Sequence, residues 1–145
     1  MTKLSPGKWA EKEVQIHLES CSRQAHDFAF HRFPDAKSAR GALASQPSDY
    51  LVCAGGVGTV FLEVKETANP TRLPKAKVSQ WGTLYKFHLA GANVVVLVYQ
   101  SAHKHWVYLT NDDLFSSEDC PASFVLTGRK SFSTAAEALQ EIFGY

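Results

Sequence analysis

Apolar positions along the chain fall into two rhythms. Ala10, Val14, Leu18 and Cys21 follow Ser5-Pro6 at spacings of four, four and three, which predicts one buried face of a helix from about Gly7 to Ser22. Phe28 to Phe33 alternates as Phe, Ala, Phe, His, Arg, Phe and reads as a strand or extended arm, followed by an exposed loop of small and polar residues from Lys37 to Ser45. Two strand signals, 49–53 and 59–65, flank Ala54-Gly55-Gly56-Val57-Gly58 and predict a β-hairpin. Thr71-Arg72-Leu73-Pro74 leads into a second helix, with Pro74 in its first turn, Gly91 just past its end, and an apolar face of Val78, Trp81, Leu84, Tyr85, His88 and Leu89. Asn93 to Tyr99 is apolar on both faces and reads as a central buried strand, with Trp106 to Leu109 as its neighbour. Ser133 is the expected cap of a last helix, Thr134 to Phe143, with Glu137 in its first turn. The order α, β, β, β, α, β, β defines an α/β class with a mixed sheet.

Composition narrows the reading. A chain of 145 residues, 45% hydrophobic and 20% charged, is expected to form one domain, 1–145, whose core needs neither disulfide nor structural metal. Cys21, Cys53 and Cys120 fit no zinc spacing and read as reduced thiols. No apolar run approaches the ~18 residues of a membrane span, and the Met1 to Lys8 start has no signal-peptide core, so the protein is expected to stay in the cytoplasm, with no membrane partner. The net charge of +1 hides an asymmetry: residues 1–90 carry 12 basic and 8 acidic side chains, residues 91–145 carry 3 and 6. The first part can attract phosphates, whereas the acidic 110–145 segment is expected to face away from them.

The hairpin holds the convergent chemistry. A turn centred on Gly56 pairs residues whose numbers sum to 112, which sets Asp49 opposite Glu63. Phe61, Glu63 and Lys65 then share one strand face, while Val60, Leu62 and Val64 turn to the core. Facing carboxylates are destabilising unless a cation offsets them, and two carboxylates with open positions suit Mg²⁺, which takes oxygen ligands and keeps waters or phosphate oxygens around it. A lysine beside the pair can orient or deprotonate a water or stabilise charge on phosphorus, so the cluster fits phosphodiester hydrolysis.

Pro47-Ser48-Asp49, thirteen intervening residues, then Glu63-Val64-Lys65, resembles the PD-(D/E)XK nuclease superfamily. Together with Ala10-Glu11-Lys12-Glu13-Val14 and the run Glu63-Val64-Lys65-Glu66-Thr67, it is similar to Holliday-junction resolvases of the archaeal and Gram-positive bacterial types, over about residues 7–109. The resemblance implies a restriction-endonuclease-like α-β-β-β-α-β core, a central mixed β-sheet flanked by helices, with 110–145 as a C-terminal extension. It implies a Mg²⁺-dependent structure-selective DNA endonuclease, with Mn²⁺ as a substitute ion, that resolves four-way junctions by paired nicks leaving 5′-phosphates, in a prokaryotic cell or a virus-infected host. Asp49 and Glu63 would ligate the metal with the Val64 carbonyl, Lys65 would be the catalytic lysine, and Gln80 would support it. Glu11 would be the first-helix carboxylate, with Glu13 as its competitor. Near two-fold symmetry of the junction calls for a homodimer.

Lys12, Arg32, Lys37, Arg40, Arg72, Lys75 and Lys77 are the candidate DNA-backbone contacts. The same superfamily chemistry also serves flaps, ends or mismatched duplex, and the same fold could bind nucleic acid without cutting. Gly55-Gly56-Val57-Gly58 lacks the Lys-Ser/Thr end of a P-loop, so no nucleotide cofactor is expected. His103 and His105 are two ligands at most and make no zinc site.

Overall fold

The computed structural model describes residues 4–34 and 46–145. Helix α1 (Pro6–Gln24) begins where the Ser5 hydroxyl accepts the Lys8 N–H at 3.3 Å and Pro6 fills a first-turn position that needs no donor. Strands β1 (Phe28–Arg32), β2 (Tyr50–Ala54) and β3 (Gly58–Thr67) form an antiparallel meander. A short strand β4 (Arg72–Pro74) and a 3₁₀ turn over Lys75–Lys77 precede α2 (Trp81–Leu89), which returns the chain to β5 (Asn93–Gln100) and β6 (His105–Leu109). The chain continues through α3 (Asn111–Leu114), β7 (Ser123–Val125) and α4 (Ala135–Phe143).

The five-stranded sheet runs β1-β2-β3-β5-β6, with β3 and β5 parallel and the remaining pairs antiparallel; β4 and β7 form a separate ribbon. Strand alternation sorts the core into two layers. Tyr50, Val52, Val60, Leu62, Val64, Val95 and Leu97 pack under α1 and α4. Val94, Val96, Val98, Val107 and Leu109 pack under α2, α3 and the ribbon, meeting Leu84, Trp81, Leu114 and Phe124. The β5 sequence therefore reads apolar throughout because both of its faces are covered.

The hairpin register is the expected one: Tyr50 faces Leu62 and Ala54 faces Gly58, which itself adopts a positive φ of 92°. Gly55 cannot carry a side chain, since an added Cβ would strike the Asp27 carboxylate while the Gly55 N–H donates to the Asp27 carbonyl at 3.0 Å.

Three local expectations are corrected. The second helix starts at Trp81 and not after Pro74, because Leu73 is held opposite Phe124 in the ribbon and Pro74 opens the 3₁₀ turn instead. Leu89 is 67% exposed, so the apolar face of α2 ends a turn earlier. Phe61 lies, as expected, on the strand face opposite Leu62 and Val64, where its ring meets Phe87 of α2 at 4.6 Å. The cap of α4 is Thr134, whose hydroxyl accepts the Glu137 N–H at 3.1 Å; the Ser133 N–H instead donates to the Glu137 carboxylate. Residues 110–145 add Leu114, Phe115, Phe124 and Leu126 to one layer and Phe132, Ala138, Leu139 and Phe143 to the other, so this segment completes the core on both faces of the sheet. Among the described residues, no helix is long and apolar enough to cross a membrane.

Candidate active site

The site forms where the β2–β3 ladder runs out. Asp49 immediately precedes β2, and its backbone is fixed by the Phe33 N–H, which donates to the Asp49 carbonyl at 2.9 Å. Its side chain takes over where strand pairing stops: Oδ2 accepts the Val64 N–H at 2.7 Å. A strand residue's N–H and C=O emerge on the same side, so the Val64 carbonyl also opens toward Asp49 and away from β5. Ser48 is buried and donates its hydroxyl to the Tyr50 carbonyl at 2.8 Å, which fixes the turn into the strand.

Glu63 is anomalous among the described residues. It is only 6% exposed, Lys65 Nζ sits 2.9 Å from its Oε1, and its Oε2 is buried with no hydrogen-bond partner. Burial, and then the neighbouring Asp49 charge, push its pKa up from 4.5 to about 7, despite the opposing pull of Lys65. Burial also raises Asp49, against the Val64 hydrogen bond and the charges of Lys65 and Arg32. Lys65 moves the other way from a buried lysine. Burial draws its pKa down, but Glu63, Asp49 and Glu11 together outweigh that and leave it above its ordinary value, so it is a firm cation at neutral pH.

A cleft of about 310 Å³ opens beside Asp49, lined by Glu11, Arg32, Asp49, Tyr50, Ser79 and Gln80 among others. Glu11 of α1 and Gln80, which stands just before α2 and spends no side-chain hydrogen bond on capping it, thus reach the same space as Asp49. Glu13 is half-buried and lies on a different face of α1, so helix phase selects Glu11 as the residue beside the cluster. The Tyr50 hydroxyl, 3.4 Å from both the Glu11 carbonyl and Gln15 Oε1, ties α1 to the strand that follows Asp49.

Asp49 and Glu63 therefore come together with Lys65, whereas Glu11 approaches from the opposite face of the sheet, the face that Leu62 and Val64 share with α1. Among the described residues no three His, Cys, Asp or Glu side chains converge closely enough to hold an ion. The two that do converge fit a hard divalent cation: Glu63 brings an orphaned buried carboxylate oxygen, Asp49 a half-buried carboxylate beside it, and such a pair carries negative charge that an ion would neutralise.

The basic residues divide. Lys12 and Arg32 line a groove beside Glu11 along α1, and Lys77 lines a cleft that contains Lys65 and Glu11. Arg72 instead donates to the Ser123 hydroxyl at 3.0 Å on the ribbon, and Lys75 stands beside Cys120. Lys37 and Arg40 lie outside the described residues. Lys8, Tyr50 and Ser79, none of them a candidate from the sequence pattern, also line these clefts. Lys8 was legible, since it sits three positions before Glu11 on the same helix face as Gln15.

An α/β core with this strand order and its helical cover defines a restriction-endonuclease-like fold. Eighteen chains of solved structures match the protein. Among them is Hjc, a Holliday junction resolvase from the archaeal hyperthermophile Archaeoglobus fulgidus, at a TM-score of 0.51 and 20% identity, covering 83% of this chain and 87% of that one. At that identity the likeness is one of fold. No protein-family model matches the chain, and no curated protein does.

Proposed function

We propose that the protein is a divalent-metal-dependent, structure-selective DNA endonuclease that resolves four-way junctions by paired symmetric nicks. The observation that carries this reading is the Asp49–Glu63 pair with its buried, orphaned Glu63 oxygen, set beside a charged Lys65 at the break in the ladder. The fold shared with a Holliday junction resolvase supports the choice of substrate.

Asp49, Glu63 and the Val64 carbonyl would hold the ion, with Glu11 reaching it through water. When bound, Mg²⁺, or Mn²⁺ in its place, supplies the Lewis acidity that makes a hydroxide-like nucleophile and screens the phosphodiester's charge. Lys65 keeps its proton, which favours an electrostatic role: its ammonium orients the attacking water and stabilises negative charge growing on the phosphoryl oxygens. Gln80 adds a neutral amide that can orient a water without altering the charge balance. Departure of the 3′ oxygen leaves a 5′-phosphate. Two nicks related by the junction's symmetry require two sites, hence a C2 homodimer acting in the cytoplasm.

The test is cleavage of a labelled four-way junction beside a linear duplex and a flap of matched arms, with Mg²⁺ and with EDTA, and with Asp49→Asn as the control. Symmetric metal-dependent nicks confined to the junction are expected. Cutting of flap or duplex instead would retain the chemistry and refute the substrate. Junction binding without any cutting would refute the enzyme.

A further inference from the structure

A second cleft, of about 420 Å³, is lined by Val64, Lys65 and Glu11 and by neither Arg32 nor Gln80. Three elements build it: Ser5 and Lys8 at the start of α1, Val64 and Lys65 on β3, and Lys77 in the 3₁₀ turn. Glu11 lines both this cleft and the one containing Asp49, so the two clefts adjoin at that residue.

The charges here are unequal in their freedom. Lys65 is committed to Glu63 at 2.9 Å, and the Glu66 carboxylate accepts the Ser101 hydroxyl at 2.9 Å. Lys8 and Lys77 are exposed, and neither makes an ion pair among the described residues. The first turn of α1 holds no acidic residue, so the positive end of that helix adds to the two ammonium groups, while Glu11, one turn further on, marks the acidic side of the cleft.

We infer that Lys8 and Lys77 form a backbone-phosphate site that receives a phosphate flanking the one to be cut, one lysine from the helix and one from the turn gripping the strand as it leaves the carboxylates. The inference rests on the nuclease reading for its ligand, a DNA strand, and extends the contact surface to Lys8. Such a grip carries no sequence information and fixes only the register of the strand over Asp49 and Glu63.

The test measures junction binding by the wild-type protein in EDTA, where no cutting is required, against Lys8→Ala, Lys77→Ala and Lys86→Ala, the last an exposed lysine of α2 that serves as control. Lys8→Ala and Lys77→Ala are each expected to weaken binding roughly tenfold and to lower the log–log salt slope by about 1, with Lys86→Ala unchanged. A single neutral methylphosphonate, walked along the strand, is expected to reproduce the loss at one flanking position, and there Lys8→Ala adds nothing further. The site is overturned if the two variants bind as the wild type does, if their loss is the same at every methylphosphonate position, or if Lys86→Ala loses as much. A wild-type protein that shows the lysine-dependent binding yet never cuts with Mg²⁺ would refute the nuclease reading and leave the phosphate site standing.

Discussion

Replacing Glu63 by Gln should make the metal-free protein more stable while depriving it of its reaction. Glu63 titrates near 4.5 when unfolded and at about 7 in the fold, raised first by burial and then by Asp49. Each unit is worth 1.36 kcal/mol, so ionised Glu63 opposes folding by about 3 kcal/mol. The sign follows from the raised value: the stability is fully present below pH 4.5 and is lost as the pH climbs through 7. Glutamine has the shape of the protonated acid and never ionises. In EDTA, Glu63→Gln should therefore match the wild type near pH 4 and exceed it by about 3 kcal/mol above pH 8, or roughly 10 °C in Tm for a chain of this size. Urea denaturation followed by tryptophan fluorescence across pH 4–9 reads the gap directly. Millimolar Mg²⁺ should close it from the wild-type side, because an ion that binds only the folded state adds stability in proportion to its occupancy. A gap that is absent at pH 8.5, or equal at every pH, would refute the account of Glu63 as an uncompensated buried anion.

Three further outcomes are expected. Lys65→Ala should slow cleavage by about 10²- to 10³-fold, the scale of losing one preorganised charge at a reacting centre, while leaving metal binding in place; single-turnover kinetics beside a metal titration separates the two. Mg²⁺ binding should release about 0.9 proton at pH 6 and almost none above pH 8.5, since Glu63 must ionise to ligate; calorimetry in buffers of different ionisation enthalpy measures it. Leu139→Ala, at a fully buried position of α4, should cost about 2–5 kcal/mol, and a denaturation midpoint unchanged from wild type would show that the last helix is an appendage.

The hairpin was legible because its information is local: a glycine turn fixes a register, and a register fixes which residues face each other. Asp49 opposite Glu63 and the doubly apolar β5 followed from spacing alone. The β4–β7 ribbon was not legible, since its partners lie some fifty residues apart and each strand is three residues long, too short to show a period. That missed pairing is also what displaced the start of the second helix. That Glu11 approaches from the other face of the sheet was hidden for a related reason: helix phase tells which residues share a face, but not which side of the sheet the helix covers. The split among the basic residues was equally closed to the sequence, because Arg72 finds its partner Ser123 only across the ribbon.

The pairing of the first helix with the last has a consequence for how the chain is made. The buried stripe of α1 packs beside Ala138, Leu139 and Phe143, which are encoded about 110 residues after α1 ends. A ribosome adding roughly 5–20 residues per second needs about 6–20 s to cover that distance. Throughout that interval one side of the nascent sheet lacks part of its apolar cover. The carboxylate pair, set by a hairpin complete by residue 67, is thus written early into a fold that closes only when α4 emerges, and in that window the growing chain presents a surface that chaperones bind.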